Sequence, residues 1–250
     1  MASDTFWGKI APWYDKNMGE KGNYYHEHVV IPGTLKLLEL KPGDRLLDLA
    51  CGQGVLARHI PKEVDYLGID AAPQLIESAK GRDLNSKHIY KTGDVTADLK
   101  LGGEMFSHAA IILALQNIET PEGVIGNCAR QLTTRGKLAI VLNHPAFRIP
   151  RQSSWEIDSN NKIEYRRINR YMSPLKIPVN AHPGERESAI TWSFHYPLST
   201  YSKMLYDAGL VIELMEEWTS DKESVGRAAR MENRARSEFP LFLGILARRK

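Results

Sequence analysis

The chain has 250 residues, of which 42% are hydrophobic and 25% are charged, with 19 glycines and 13 prolines. This balance is typical of a globular protein and excludes a disordered, collagen-like or disulfide-stapled chain. The 33 basic and 30 acidic residues give a net charge of +3, which is too small to require a nucleic acid or an anionic membrane as partner. Because there are only two cysteines, no apolar leader pattern and no apolar run long enough to cross a bilayer, we expect a cytoplasmic protein with no membrane partner.

Short apolar runs alternate along the chain with segments of helical pattern. This alternation predicts a doubly wound α/β fold, in which helices cover a mostly parallel sheet. We predict strands at 45–50, 64–69, a run ending near residue 94, 109–115, 137–142, 210–215 and 241–247, and helices at 55–61, 73–80, 121–132, 200–208 and 223–237. The runs 109–115 and 137–142 are apolar almost throughout, as is typical of central strands buried on both faces.

The composition changes between residues 145 and 197. This segment holds six of the thirteen prolines and has eight basic against five acidic residues, with aromatic residues scattered through it. We interpret 145–197 as an insertion after the fifth strand that forms a lid over the functional site. We also expect 162–171 to pair with 189–196 as an antiparallel flap.

The strongest local signal is Asp48-Leu49-Ala50-Cys51-Gly52-Gln53-Gly54, where a predicted strand meets a predicted helix. Glycines at such a junction let the backbone approach a ligand closely, and the first N–H groups of a helix face polar or negative atoms. The spacing Gly52-x-Gly54-x-x-Ala57 also fits the dinucleotide-binding fingerprint. The loop therefore predicts a nucleotide-like cofactor without saying which one.

Two acidic residues help to choose the cofactor. A carboxylate at Asp48, at the end of the first strand, would repel a pyrophosphate but would tolerate or favour the sulfonium and ammonium groups of S-adenosylmethionine. Asp70 closes the second strand, where an acidic residue binds the two hydroxyls of a ribose; this role is common to both cofactors, so Asp70 indicates a nucleoside and Asp48 makes the choice. The sign of the charge therefore favours S-adenosylmethionine over NAD.

With these motifs, the chain resembles the class I S-adenosylmethionine-dependent methyltransferases, in particular the type 11 group that acts on small molecules. Four segments carry the resemblance in order between residues 40 and 145: 46–54, Gly68-Ile69-Asp70-Ala71, Gly93-Asp94-Val95 and Leu113-Ala114-Leu115-Gln116-Asn117. The resemblance implies a Rossmann-like sheet of seven mostly parallel strands whose last strand is antiparallel. Many members have Gly in place of Ala50 and Asp in place of Ser107.

The resemblance also implies which residues bind the cofactor. Gly52 and Gly54 would line its methionine part, Asp70 would bind the ribose, and Asp94 would meet the adenine amino group with Val95 beside it. The full set of predicted cofactor-binding residues is Tyr14, Tyr25, Asp48, Ala50, Cys51, Gly52, Gln53, Gly54, Asp70, Ala71, Asp94, Val95, Ala114, Leu115 and Asn117. We interpret Cys51 as a small loop residue and not as a nucleophile, because the sequence pairs no base with it.

Aromatic residues precede the first strand. In similar enzymes such a segment folds over the cofactor, so we expect residues 1–40 to form a helical cap with Tyr14 and Tyr25 at the pocket, ahead of a methyltransferase domain at 41–250. The alternative is that these aromatic rings pack in the core. His26 and His28 would point to different faces of a helix and have no third ligand nearby, so we predict no metal site.

Methyl transfer is an in-line displacement at an activated carbon, so the protein mainly has to align the acceptor, exclude water and, where needed, remove a proton. We predict His144, which follows the fifth strand at the carboxyl edge of the sheet, and His195 as catalytic residues. Each histidine has an alternative role, anchoring a loop for His144 and packing for His195. The predicted substrate-binding residues are Asn143, Phe147, Arg148 and Trp192.

The acceptor is predicted to be a small organic molecule, because the insertion combines mixed charge with prolines and aromatic residues. Its arginines could bind a carboxylate or phosphate group, track RNA, or form a solvated face. An RNA or protein methyltransferase, a non-catalytic S-adenosylmethionine-binding module and an NAD oxidoreductase remain alternatives. Transfer would leave S-adenosylhomocysteine as product, and the sequence carries no signal for an oligomeric state.

Overall fold

The computed structural model describes residue 19 and residues 22–102, 105–180 and 190–250. The strands of this part of the chain are β1 Arg45–Leu49, β2 Asp65–Asp70, β3 His88–Thr92, β4 Phe106–Ile112, β5 Leu132–Asn143, β6 Ser153–Asp158, β7 Ile163–Ile168, β8 Leu175–Asn180, β9 Ile190–His195, β10 Leu210–Trp218 and β11 Phe242–Arg249. Seven of them form one sheet in the order β10-β11-β5-β4-β1-β2-β3.

The strands β1 to β5 run parallel to one another, and β11 runs antiparallel between β5 and β10. This confirms the predicted doubly wound α/β fold and its antiparallel last strand. The register places Leu49 of β1 beside Ile69 of β2, and Asp48 beside Ala110 of β4. The carboxyl ends of these three strands therefore meet at one edge of the sheet, where ligands bind in open α/β folds.

Helices cover both faces of the sheet. Their bounds are Ile31–Leu38, preceded by a π-helical turn at His26–Val30, then Pro73–Arg82, Pro121–Gln131, Leu198–Asp207 and Ala229–Glu238, with 3₁₀ turns at Ala57–His59 and Leu115–Asn117. Consecutive residues of β1 belong to opposite layers, because Leu46 packs in one apolar cluster and Leu47 in the other. In the described part of the chain, no helix combines the length and the apolar character needed to cross a membrane.

Two predicted helices are shorter in the structure. The segment 55–61 forms only the 3₁₀ turn, because Ile60 precedes Pro61 and takes the extended conformation that this position favours. The segment 223–237 begins its helix at Ala229, because Gly226 has a φ of 94° and interrupts the helical backbone before it.

The N-terminal helix Ile31–Leu38 contributes to the core. Its Ile31, Leu37 and Leu38 are buried in the cluster that contains Leu46 of β1. This helix therefore covers the sheet, and its first residue, Ile31, also lines the smaller cavity beside the glycine loop.

The insertion after β5 forms two antiparallel hairpins, β6 with β7 and β8 with β9. The predicted pairing of 162–171 with 189–196 is wrong, because each of these strands pairs with the strand just before it. The Asp158 carboxylate accepts the N–H groups of Asn160 and Asn161 and so closes a tight turn after β6. The sequence did not predict β8, because Pro178 argues against a strand. The structure accommodates Pro178 because both strands of a two-stranded hairpin are edge strands.

Candidate functional site

A tight turn follows β1 and builds one wall of the site. Ala50, Gly52 and Gly54 all have left-handed backbones, with φ of 58°, 56° and 71°. The Asp70 carboxylate at the end of β2 accepts the N–H of Gly52 at 2.9 Å and that of Ala72 at 2.9 Å. Asp70 therefore fixes the turn to the neighbouring strand, which the sequence did not indicate.

The two glycines of the turn are needed for different reasons. A Cβ at Gly52 would meet no atom within 4 Å, so this glycine faces open space. A Cβ at Gly54 would lie 2.7 Å from the Tyr90 hydroxyl, so this glycine allows close packing. Gly52 borders the ligand cavity, and Gly54 supports the turn from behind.

A cavity of about 250 Å³ opens beside Gly52. Eight predicted cofactor-binding residues line it: Ala50, Gly52, Asp70, Ala71, Asp94, Val95, Ala114 and Asn117. The sequence analysis missed five more residues of its wall: Leu75, Thr96, Ile112, Leu113 and Ile118. No lysine or arginine lines this cavity among the described residues, so its charged groups are the carboxylates of Asp70 and Asp94. Asp94 is oriented by the N–H and hydroxyl of Thr96, which donate to its Oδ1.

A smaller cavity continues on the other side of Gly52 and contains the third carboxylate. Asp48 is buried there, and the Tyr66 hydroxyl donates to its Oδ2 at 2.7 Å. Burial raises the pKa of Asp48 to about 7, the hydrogen bond from Tyr66 opposes this rise, and the charge of Asp70 adds to it. Because a buried carboxylate ionises more readily beside a cation, this site favours a positively charged ligand group.

Two non-glycine residues at the main cavity have strained backbones. Ala50 is left-handed after β1, and Leu113 is left-handed after β4 with a φ of 52°. The side-chain amides of Gln116 and Asn117 both donate to the Leu113 carbonyl, which holds this conformation. Left-handed backbone is unfavourable for residues with a Cβ and recurs where a ligand site requires it.

Other predicted cofactor residues lie elsewhere. Leu115 is fully buried in the core and is not among the residues that line the cavity, so the structure places its side chain away from the pocket edge. Tyr25 packs on Phe242 and contacts Ser220, outside both cavities. Tyr14 lies outside the described residues.

Cys51 and Gln53, on either side of Gly52, line the smaller cavity. The Gln53 side chain donates to the Gly19 carbonyl and accepts a hydrogen bond from Arg82, which ties the N-terminal segment to the turn. Burial raises the pKa of the Cys51 thiol well above its usual value, so its environment disfavours a thiolate nucleophile. His26 was missed as a lining residue. In the described ranges, no three His, Cys, Asp or Glu side chains gather as metal ligands.

A third cavity, of about 30 Å³, lies between the turn Leu115–Asn117 and the insertion. Its wall comprises Gln116, Asn143, Pro145, Arg148, Ile149, Pro150, Ser193, Phe194, His195, Tyr196 and Tyr201. Of the predicted substrate residues, Asn143 and Arg148 line this cavity. Phe147 stacks on His144 and contacts Phe239, away from the cavity. Trp192 is 42% exposed with Lys176 over its ring, because it lies on the outer face of β9.

The two predicted catalytic histidines have different environments. His144 is fully buried, its Nε2 lies 2.7 Å from Glu217 Oε1, and its Nδ1 accepts the N–H groups of Ala146 and Phe147. Both ring nitrogens are engaged, so its contacts favour the alternative of a loop anchor. His195 Nε2 lies 2.6 Å from the Tyr171 carbonyl and must donate to it, which leaves Nδ1 without a proton in the neutral ring. Burial lowers the pKa of His195 and so favours the neutral ring.

Comparisons with known proteins agree with this geometry. A family model described as a methyltransferase domain matches residues 47–140. The chain is 26% identical over 211 residues to a 2-phytyl-1,4-naphtoquinone methyltransferase of Trichormus variabilis. The aligned region covers 76% of this chain and 91% of that relative. It is 31% identical over 188 residues to an uncharacterized methyltransferase of Schizosaccharomyces pombe, covering 73% of this chain and 65% of the relative.

The fold matches that of a solved structure, an S-adenosylmethionine-dependent methyltransferase from Mesorhizobium loti, with a TM-score of 0.70 and 23% identity over 92% of this chain and 100% of the other. The matched domain contains β1 to β4, the glycine turn and the acidic cavity, which are the parts that bind the cofactor in the predicted scheme. The chain is therefore a class I S-adenosylmethionine-dependent methyltransferase.

Proposed function

We propose that this enzyme transfers a methyl group to a small organic molecule bound on the insertion side of the turn Leu115–Asn117. The observation that carries the proposal is the shared wall of two cavities, since Asn117 lines the acidic cavity and its neighbour Gln116 lines the third one. Apolar and aromatic residues such as Phe194 and Tyr196 surround the third cavity, as is usual for sites of small organic ligands. The relative from Trichormus variabilis is named for a naphthoquinone substrate, which also supports a small acceptor.

In this proposal, each of three carboxylates binds a different part of the cofactor. Asp70 binds the ribose hydroxyls, Asp94 meets the adenine amino group, and Asp48 faces the positively charged end. Apolar wall residues such as Val95 and Leu113 exclude water around the adenosine. When bound, S-adenosylmethionine supplies an electrophilic methyl carbon, and the protein contributes alignment and desolvation.

His195 is the proton acceptor in this proposal. Its Nδ1 is the unprotonated nitrogen of a ring fixed by the Tyr171 carbonyl, and the residue lines the third cavity. His144 acts as a positioning residue, because its bond to Glu217 joins the start of the insertion to β10. Asn143 would position the acceptor and also holds Arg148.

We assign a covering role to the N-terminal segment and to the insertion. Lys222, after β10, lies over the rings of Tyr24 and Tyr25, 4.3 Å and 5.0 Å from their centroids. The Tyr25 hydroxyl also lies 3.2 Å from Ser220 Oγ. These contacts fix the described start of the cap, and the described residues of the insertion, 145–180 and 190–197, form the second cover as the lid.

The proposal is tested with a radiolabelled methyl donor and a panel of phenols, quinols, small carboxylic acids, proteins and RNA. Transfer to small molecules would support it, and transfer only to RNA or protein would contradict it. In parallel, Asp70→Asn should weaken binding of S-adenosylhomocysteine by about 1–3 kcal/mol, because the ribose hydroxyls lose a charged acceptor. Asp65→Asn, an exposed change at the other end of β2, is the matched control and should bind as the wild type does.

A further inference from the structure

The third cavity contains a half-buried arginine with no acidic partner. Arg148 donates from Nη1 to Asn143 Oδ1 at 2.7 Å, and its guanidinium lies 5.2 Å from the centroid of the Phe242 ring. Within the described residues, no carboxylate lies at ion-pair distance from Arg148. Burial lowers the pKa of Arg148, Tyr25 opposes this shift, and the positive charge of Arg166 adds to it.

Such an arrangement is unfavourable unless something else neutralises the charge. Taking a guanidinium out of water without a counter-ion is costly, and a ring contact offsets only part of that cost. A guanidinium has five N–H donors in a planar fork, of which Asn143 takes one. The fork of Arg148 therefore matches an oxyanion that accepts two parallel hydrogen bonds.

Two other residues that line the same cavity carry acceptor atoms. Gln116 Oε1 is buried and has no hydrogen-bond partner among the described residues. Its amide orientation is fixed, because Nε2 donates to the Leu113 carbonyl at 2.7 Å. His195 Nδ1 adds a second acceptor. Since buried polar atoms are normally paired, a ligand that accepts hydrogen bonds from Arg148 and donates one to Gln116 or His195 would satisfy the polar groups of this wall.

The size of the cavity limits the anionic group. A volume of about 30 Å³ has room for roughly two or three water-sized groups, which suits the two oxygens of a carboxylate better than a phosphate. Apolar residues close the rest of the wall, among them Pro145, Ile149 and Phe194. The carboxylate and one neighbouring polar group fill this volume, so the rest of the ligand must extend out of the cavity.

We propose that this cavity is the carboxylate-binding subsite of the acceptor, so that the enzyme methylates a small organic acid that also carries a hydroxyl or amine. Arg148 holds the carboxylate, and Gln116 receives the hydrogen bond of the second polar group. The inference rests on the proposed function, because it places the acceptor in this cavity.

The test measures binding by calorimetry with the protein saturated with S-adenosylhomocysteine. The probes are benzoate, benzamide, which has the same shape without the charge, and phenyl phosphate. We expect benzoate to bind at least ten times more tightly than benzamide. Arg148→Met should abolish this preference, and Arg170→Met, an exposed arginine of the same insertion, should retain it.

Equal binding of benzoate and benzamide to the wild type would overturn the inference, as would an Arg148→Met variant that keeps the preference. Tighter binding of phenyl phosphate than of benzoate would also overturn it, in favour of a phosphorylated acceptor. Should Arg148→Met fail to fold, Arg148→Lys keeps the charge without the fork, and its preference should fall at least threefold. Failure to bind S-adenosylhomocysteine would instead refute the proposed function, so the two failures are distinguishable.

Discussion

Replacing Asp48 by Asn should change stability and cofactor binding in opposite directions. The carboxyl pKa rises from its ordinary value of 3.8 to about 7 in the folded protein, chiefly because Asp48 is buried. Between these values the unfolded chain has lost the proton while the folded chain keeps it, so stability falls as the pH rises through this window. A rise of about 3 pKa units corresponds to roughly 4 kcal/mol of lost stability above pH 7.

Asp48→Asn removes this penalty and keeps an oxygen that accepts from the Tyr66 hydroxyl. We therefore expect the variant to be more stable than the wild type by up to about 4 kcal/mol at pH 8, and about equally stable near pH 4. The same variant should bind S-adenosylmethionine at least about ten times more weakly, a loss of about 1.4 kcal/mol, because it lacks the negative charge.

Urea unfolding at several pH values measures the first effect, and calorimetric titration measures the second. The exposed variant Asp65→Asn is the control and should stay within about 0.5 kcal/mol of the wild type. An Asp48→Asn variant that is less stable than the wild type at pH 8, or whose stability difference does not depend on pH, would refute the reasoning.

Four further changes test the turn and the proton acceptor. Gly54→Ala should destabilise the protein by more than about 2 kcal/mol in urea unfolding, because left-handed strain adds to the contact with Tyr90. Gly52→Ala should cost only about 1 kcal/mol of stability, because its Cβ meets no atom, but it should abolish binding of S-adenosylhomocysteine. Equal losses of stability in the two variants would contradict this difference. Ala50→Gly should raise the free energy of unfolding by about 0.5 kcal/mol, since glycine relieves the φ of 58°, and a lower value would count against that strain. His195→Asn should reduce turnover by about 100-fold at unchanged affinity for S-adenosylhomocysteine. The wild-type rate should fall as the pH drops through a value below 6.5, because the lowered pKa of His195 sets where the ring becomes protonated. Full activity in the variant would exclude His195 as the proton acceptor.

The sequence predicts the parallel sheet well, because its central strands are apolar on both faces and only a buried sheet accommodates them. The acidic strand ends were also found, since the turn after β1 and the end of β2 have fixed spacing from their strands. The sequence did not predict the hydrogen bonds of the site, because the bonds from the N–H groups of Gly52 and Ala72 to Asp70 depend on how two strands meet.

The residue roles that the sequence could not predict are those that depend on contacts between residues far apart in the chain. The sequence placed Leu115 at the pocket, but the left-handed Leu113 shifts the phase of the chain after β4 and sends Leu115 into the core. The environment of His144 depends on Glu217, which lies 73 residues later. Spacing along the chain carries no signal for such a contact, so the two histidines could not be told apart before the structure was known.

The buried carboxylate of Asp48 is expected to respond to the positive charge of the cofactor. Calorimetric titration of S-adenosylmethionine at pH 7, repeated in buffers with different ionisation enthalpies, counts the protons released on binding. Because the pKa of Asp48 lies at about 7, we predict that the wild type releases about half a proton more than Asp48→Asn does. Equal proton release by the two proteins, at equal affinity, would contradict the account.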